Sequence, residues 1–244
     1  MHALIVHCHP EPASFNSALT EVARATLREQ GYSVDVSDLY REKFDPCEGP
    51  EHYTHREDGA KFSPLGEQRY AFSTNTVPED VQREISRLIR ADLVVFQFPI
   101  WWHGQPAMLK GWFDRVFVSG GLYTSTMRYD RGYFRGRKAV CSVTTGAPEI
   151  AFGPGSRGGE IERILWSIQY SLHYLGFRVL SPFAAFGIQG HGYAYSDEDS
   201  NNRRLILYRD TWKERLQQLD RDTPLEFQGW DDWNADGRAK AVRT

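Results

Sequence analysis

The chain has 244 residues, a formal net charge of −3 and 41 % hydrophobic residues, so it can fill a core and lacks the basic excess of a nucleic-acid binder. Its apolar stretches stop well short of the ~18 residues that cross a bilayer, and no basic region followed by a cleavable apolar one opens it, so a cytoplasmic location is expected. Cys8, Cys47 and Cys141 are few and far apart, which suggests reduced thiols rather than a disulfide framework. Domains of α/β type often reach ~250 residues, so one domain with decorated loops is the first expectation. The chain has 7 Trp, 12 Tyr and 14 Phe, enough for core, interface or a pocket for a flat ligand.

In chain order, strand and helix signals alternate. Ala3 to Val6 is a short apolar run of the kind buried on both faces. Leu19, Val22, Ala23 and Leu27 then fall at helical spacing, and Gly31 is placed to end that helix. Tyr32 to Asp38 reads as a second strand. Glu42 to about Thr76, rich in Pro, Gly and charge, reads as a long loop of a kind that is often functional or reaches a partner subunit. Val81, Ile85, Leu88 and Ile89 mark the next helix, Asp92 to Pro99 is the clearest strand, and a helix covers about Ala107 to Val118. Ala139 to Val143 is a fourth strand, Ile161 to Tyr174 a helix, Val179 to Phe186 a fifth strand and Asn202 to Leu219 a last helix. This order predicts residues 1–222 as one domain, an α/β doubly wound five-stranded parallel sheet flanked by helices. Residues 223–244, with Trp230 and Trp233, read as an irregular C-terminal extension.

Ligands of such sheets sit at the carboxyl ends of the strands near the topological switch point. The chemistry is therefore expected in residues 7–17, 99–106 and 144–160. The first loop, His7 to Asn16, runs into a helix N-terminus, whose free N–H groups and dipole favour a phosphate. His9, Ser14 and Asn16 add donors there, although Ser and Asn are also good helix caps. His7-Cys8-His9 invites a metal reading, but successive residues of an extended strand point to opposite faces, so His7 and His9 share a side that Cys8 does not, and no metal site is expected.

After the third strand come Pro99-Ile100-Trp101-Trp102-His103-Gly104, where two tryptophans and a histidine form a shelf suited to a planar ring system. Thr144-Thr145-Gly146-Ala147 follows the fourth strand with hydroxyls and a glycine that permits close approach. Gly153-Pro154-Gly155-Ser156-Arg157-Gly158 matches G-x-G-x-x-G in spelling only. It lies several residues beyond its strand, carries a proline, and has Arg178 where the dinucleotide fingerprint needs an acidic residue. A flexible lid over the pocket is the better expectation.

Four segments together resemble the NAD(P)H:quinone reductases of DT-diaphorase type, with the related modulator-of-drug-activity and potassium-efflux ancillary reductases. They are Ser14-Phe15-Asn16, Phe96-Gln97-Phe98-Pro99, the run from Ala107 to Phe117 that contains Leu109-Lys110-Gly111-Trp112-Phe113-Asp114-Arg115-Val116, and Thr144-Thr145-Gly146. The resemblance covers roughly residues 1–220 and implies a flavodoxin-like fold. It implies a homodimer with FAD, rather than FMN, bound at two interface sites. It also implies ping-pong two-electron reduction of quinones, with NADH or NADPH passing hydride through flavin N5. By position, His9, Ser14, Phe15, Asn16 and Ser17 would hold the FAD phosphates and ribityl chain. Pro99, Ile100, Trp101, Trp102, His103, Thr144, Thr145, Gly146 and Ala147 would line the isoalloxazine. Trp102, Tyr123, Phe152 and Tyr174 would form the substrate pocket, with Tyr123 coming from the opposite subunit, and Phe62 and Pro64 match a loop that reaches the partner's adenine.

Departures accompany the likeness. Phe152 and Gly158 stand where the mammalian enzymes have a Tyr and a His that stabilise charge on the reduced flavin, and Ser125 replaces a second pocket Tyr. Arg157 and His103 are the candidate replacements, and with Tyr123 they make up the expected catalytic set. Arg203 and Arg204 can contact cofactor phosphates or cap the last helix. The sequence has no clear site for the 2′-phosphate that separates NADPH from NADH. The alternative function is a flavin-binding regulatory subunit of a membrane transport system, whose partner would be a membrane transporter.

Overall fold

β1 (His2–His7) and β3 (Leu93–Pro99) are buried along nearly their whole length, as central strands of a parallel sheet must be. A computed structural model describes residues 1–188 and 197–240. β2 spans Ser33–Asp38, β4 Lys138–Thr144, β5 Arg178–Val179 and β6 Phe183–Ala185. The order is β2-β1-β3-β4-β5, every pairing is parallel, and β6 also pairs with β4. β5 sits against Lys138 and Ala139, and β6 lies further along the same strand against Ser142 to Thr144. The fifth strand expected over 179–186 is thus two short pieces in line, broken around Pro182, which has no N–H to give to a ladder.

The helices are α1 (Phe15–Glu29), α2 (Pro64–Thr74), α3 (Glu79–Arg90), α4 (Ala107–Val116), α5 (Ile161–Tyr174) and α6 (Glu198–Gln217). Successive strand residues point to opposite layers. Ala3, Ile5, Leu93, Val95 and Val140 pack on Leu19, Ala23 and Leu27 of α1 and on Trp212 and Leu216 of α6. Leu4, Val6, Val94, Phe96 and Phe98 pack in the other layer with Ile85 of α3, Trp112 of α4 and Leu165 of α5.

Most helix boundaries follow local chemistry. Ser14 caps α1, its Oγ accepting the Ser17 N–H at 3.2 Å, and Gly31 leaves the helix at φ +83°. Asp197 caps α6 by accepting the Ser200 N–H at 2.8 Å, so that helix starts earlier than the expected Asn202. α4 ends at Val116 rather than Val118.

The long loop expected over 42–76 contains α2 and a 3-10 turn at Pro50–His52. α2 escapes an apolar-periodicity search because two of its three buried residues, Glu67 and Gln68, are polar. Glu67 accepts from Arg56 Nε at 3.1 Å and from the Glu57 N–H at 3.0 Å. Gln68 donates to the Asp114 carbonyl at 2.9 Å and accepts the Ser119 N–H at 3.2 Å. Against this segment, Gly111 of α4 is required for close approach: a Cβ there would lie 2.1 Å from the Pro46 carbonyl oxygen.

One buried carboxylate ties three elements on the α3 side. Glu84 accepts from Trp112 Nε1 at 2.9 Å, from Arg87 Nη1 at 2.7 Å and from Ser37 Oγ. The chain beyond α6 lies along the sheet edge, where the Leu225 N–H donates to the Val179 carbonyl at 2.8 Å. Trp233 packs 4.6 Å from Tyr129, ring centre to ring centre. The last four residues of the expected extension, 241–244, lie outside the described residues. Among the described residues no helix is long and apolar enough to cross a membrane.

Candidate active site

The carboxyl ends of β1, β3 and β4 bring all three expected loops together. In the first, the α1 N-terminus carries no acidic residue in its opening turn, so its dipole meets no carboxylate of its own. Ser17 Oγ lies 3.0 Å from Ser14 Oγ and 3.3 Å from Nε2 of the buried His7. His9 Nδ1 accepts the Glu11 N–H at 3.0 Å, its ring sits 6.1 Å from Trp101, and burial holds its pKa below the usual histidine value. Phe15 packs against the α1–α6 layer.

Asn16 is turned inward. Its amide donates to Thr144 Oγ1 at 2.9 Å and its carbonyl oxygen accepts from Gln97 Nε2 at 2.9 Å. The side chain thus clamps the first loop to β3 and β4. Gln97, which holds Asn16 in this position, is not among the expected site residues. A glutamine inside the apolar run Leu93–Pro99 is the sequence signal for it.

The segment after β3 folds into a two-residue turn. The Trp101 N–H donates to the Gly104 carbonyl at 3.0 Å and the Gly104 N–H returns to the Trp101 carbonyl at 3.1 Å. Trp102 and His103 occupy its centre at φ +50° and +57°, left-handed values that this turn demands and that Asn-Gly meets best. Two non-glycine residues held there store strain of the kind that clusters at binding sites. The Trp102 side chain is 99 % exposed, so the strain presents a bare aromatic face. Pro99 pairs with Thr144 across the sheet, and the Ile100 N–H donates to the Thr144 carbonyl at 2.9 Å.

In the third loop, Thr145 Oγ1 donates to the Ala147 carbonyl at 2.8 Å and the Thr145 N–H to Ala185 at 3.0 Å. Ile100, Trp102, His103, Thr145, Gly146 and Ala147 line an open cavity of about 530 Å3 together with Phe152, Arg157 and Gly158. Residues 153–158, expected as a flexible lid, lie in a loop bonded to itself: Gly153 N–H to the Gly159 carbonyl at 2.9 Å and Ser156 N–H to the Gly153 carbonyl at 3.1 Å. Gly158 is sterically required, since a Cβ would fall 2.7 Å from the Ala151 carbonyl oxygen and 3.1 Å from the Phe152 ring.

Tyr123 and Tyr174 are not in that cavity. They meet edge to face at 5.5 Å and line a separate cavity of about 340 Å3 with Phe113 and Phe117. Arg128 donates to the Tyr174 hydroxyl at 2.9 Å. Within one chain the expected catalytic set is therefore divided, with His103 and Arg157 in one cavity and Tyr123 in the other. Phe62 packs 6.1 Å from Tyr53, and Pro64 opens α2. Arg204 donates to the Gly187 carbonyl at 2.9 Å. Cys8 is buried beneath the first loop, and burial pushes its thiol up to about 12, which leaves it unreactive. Among the described residues no cluster of His, Cys, Asp and Glu could hold a metal ion.

Fold and site together define a protein of flavodoxin-like class, and the sequence profile of that family matches residues 1–210. The chain belongs to the flavodoxin-like NAD(P)H:quinone oxidoreductase family. It is 40 % identical over 227 residues to NAD(P)H dehydrogenase (quinone) 1 of Cavia porcellus, covering 92 % of this chain and 79 % of that one. It is 34 % identical over 224 residues to ribosyldihydronicotinamide dehydrogenase (quinone) of Mus musculus, covering 91 % and 93 % respectively. A crystal structure from Klebsiella pneumoniae, described as a candidate quinone reductase, superposes with a TM-score of 0.88 at 30 % identity, over 98 % of this chain and 94 % of that one.

Proposed function

We propose that the protein is an FAD-dependent NAD(P)H:quinone oxidoreductase that acts as a cytoplasmic homodimer. The observation that carries this reading is the strained Trp102-His103 turn lining one cavity with Thr145 and Gly146, beside an α1 N-terminus that has no acidic residue in its first turn. The residues present fit a flavin. The free amides of the α1 start, with Ser14 and Ser17, suit its phosphates. Trp102 offers a ring face, and beside Gly146 the nearest atom a Cβ would meet is 4.0 Å away, which leaves room for a ring edge. Bound there, the flavin would supply two-electron transfer from NAD(P)H to a quinone.

The protein's own part is positioning and electrostatics. Pro99 to His103 and Thr144 to Ala147 orient the ring system, and His9, Ser14, Phe15, Asn16 and Ser17 hold the remainder of the cofactor. Arg157 places a cation on the cavity wall, where it balances negative charge developing on the ring. His103 stands at the same mouth as a donor to a quinone oxygen. Tyr123 and Tyr174 complete the pocket from the second subunit, which gives a use to the cavity between α4 and α5 and to the exposed Leu65 that lines it. Residues 1–222 form the flavin domain in this reading and 223–244 a C-terminal extension.

The alternative of a regulatory subunit for a membrane transporter draws no support from the relatives described above. The test is to purify the protein, record its visible spectrum, identify the released flavin, and mix it anaerobically with NADH or NADPH and then a benzoquinone. Bleaching by the nicotinamide followed by rapid reoxidation by the quinone is the expected result. A bound flavin that NAD(P)H leaves oxidised would overturn the proposal. Replacing Arg157 by Ala slows flavin reduction or reoxidation, and unchanged rates in both halves would remove Arg157 from the mechanism.

A further inference from the structure

Arg128 opens the short helical turn at Tyr129–Arg131, and every acceptor that holds it is neutral. Its Nη1 donates to the Tyr174 hydroxyl at 2.9 Å, while Nε and Nη2 donate to the Ser125 carbonyl at 3.1 Å and 2.8 Å. The guanidinium also lies 5.5 Å from the ring centres of Tyr174 and Trp230. Among the described residues no carboxylate pairs with it. Asp130, Asp231 and Asp232 at the same corner are engaged by the Trp230 N–H at 2.6 Å, by Arg131 at 2.9 Å and by the Gly229 N–H at 2.7 Å.

An arginine keeps its charge at any working pH and carries five N–H donors in a rigid fork. Three are used here, so among the described residues one on each Nη is left without an acceptor. The side chain is half-buried and already ordered by its bonds and two ring faces. An anion that reaches it therefore gains charge-assisted hydrogen bonds with little further ordering cost. The backbone points the same way. Tyr129, the next residue, sits at φ +58°, a left-handed value that a tyrosine takes only when its surroundings impose it. Strain of that kind clusters where ligands are held. The neighbourhood is aromatic: Tyr174, whose hydroxyl Arg128 holds, meets Tyr123 edge to face at 5.5 Å, and both line the cavity between α4 and α5. Two rings and a fixed cation thus adjoin through direct contacts.

We propose that Arg128 sets the acceptor specificity of the enzyme, favouring quinones that carry an anionic group such as a sulfonate or a carboxylate. The inference rests on the reading above that gives Tyr123 and Tyr174 to the acceptor pocket. The quinone ring lies against those two rings, and its anionic group takes the spare N–H donors of Arg128. A neutral quinone meets the same rings without the charge-assisted bonds.

The probes are 1,4-naphthoquinone-2-sulfonate and 1,4-naphthoquinone, reduced with NAD(P)H by the purified flavin-loaded full chain. Arg128→Met should lower the ratio of their kcat/KM values, sulfonate over neutral, about tenfold, and through KM for the sulfonate. Taking the ratio within each protein cancels the different intrinsic reactivities of the two quinones. Arg128→Lys should recover part of the ratio, and added salt should lower it more in the unaltered protein than in Arg128→Met. A second readout is free of turnover. Naphthalene-2-sulfonate, which has no quinone oxygen to reduce, should compete with the sulfonated quinone and bind Arg128→Met about tenfold more weakly by calorimetry. A ratio that Arg128→Met leaves unmoved, an equal loss for both quinones, or unweakened naphthalene-2-sulfonate binding would overturn the assignment while the quinone-reductase reading stands. An unaltered protein that reduces neither quinone would overturn that reading and the assignment with it.

Discussion

The Glu84 anchor and the Trp102-His103 turn are both built on polar groups, and they are built in opposite ways. At the anchor, the carboxylate is enclosed and accepts from Ser37, Arg87 and Trp112. At the turn, two large side chains sit in left-handed backbone and one of them stands fully in water. The first arrangement lowers the energy of the fold. The second raises it and leaves surface available for a ligand. Enclosure with complete pairing thus marks structure, while strain with exposure marks the place where binding is expected.

The sharpest way to break that contrast is at the anchor. Glu84→Ala leaves the buried Trp112 Nε1 and Ser37 Oγ without their acceptor, while Arg87 keeps Glu42, and should destabilise the protein by about 1–3 kcal/mol for each of the two orphaned groups. For a chain of this size that lowers the melting temperature by roughly 2–4 °C per kcal/mol, readable by calorimetry. The surviving folded molecules should bind flavin as before, and a parallel loss of flavin affinity would erase the distinction between the two regions.

Gln97→Leu tests the support beneath the site. It removes the donor to Asn16 and should cost about 1–3 kcal/mol in denaturant unfolding. Because Asn16 fixes the first loop, flavin affinity should also fall severalfold, an effect that Glu84→Ala lacks. His103→Gly tests the strain itself. Glycine adopts a positive φ without penalty, so this variant should gain about 1 kcal/mol of stability while its quinone turnover drops. A destabilised His103→Gly would mean that the turn is held by favourable contacts and stores no strain.

The smallest effects lie in titration and thiol chemistry. Burial lowers the pKa of His7 below 6.5, with smaller influences from Asp38, His9 and Glu21, and burial lowers His173 in the same direction. A histidine with a depressed folded value takes its proton first in the unfolded chain. Stability is then complete above about 6.5 and is lost as pH falls through that value toward the folded one. Unfolding free energies measured from pH 8 to 5 should show this decline, and His7→Asn should make it shallower. Burial raises the Cys8 and Cys141 thiols to about 12, whereas Cys47 is exposed. A thiol reagent should therefore titrate one cysteine in native protein and all three after unfolding.

Elements with a periodic apolar face are legible in the amino-acid sequence. α5 has the expected bounds, Ile161–Tyr174, and β3 lacks only the first residue of its expected run. α2 is not legible there, because what it buries is Glu67 and Gln68, whose partners Arg56, Asp114 and Ser119 come from elsewhere in the chain. Pro182 is visible as a residue, but the break it makes in the edge strand is not visible as a consequence. The three site loops are legible because a doubly wound sheet offers only one end to ligands. The inward turn of Asn16 and the left-handed backbone of Trp102 and His103 are not, since spacing along a chain carries no record of where a side chain turns.

Sequence alone determined the order of strands and helices, the class of sheet and the three loops at its carboxyl edge, because hydrophobic periodicity and helix caps are local and survive without context. Tertiary structure alone decided which polar residues became supports and which stayed exposed. It also separated His103 and Arg157 from Tyr123 within one chain, and it buried the Gln169 side-chain nitrogen with no hydrogen-bond partner among the described residues. Those outcomes depend on what a side chain meets across the molecule, and such meetings are fixed only when the distant segments have packed.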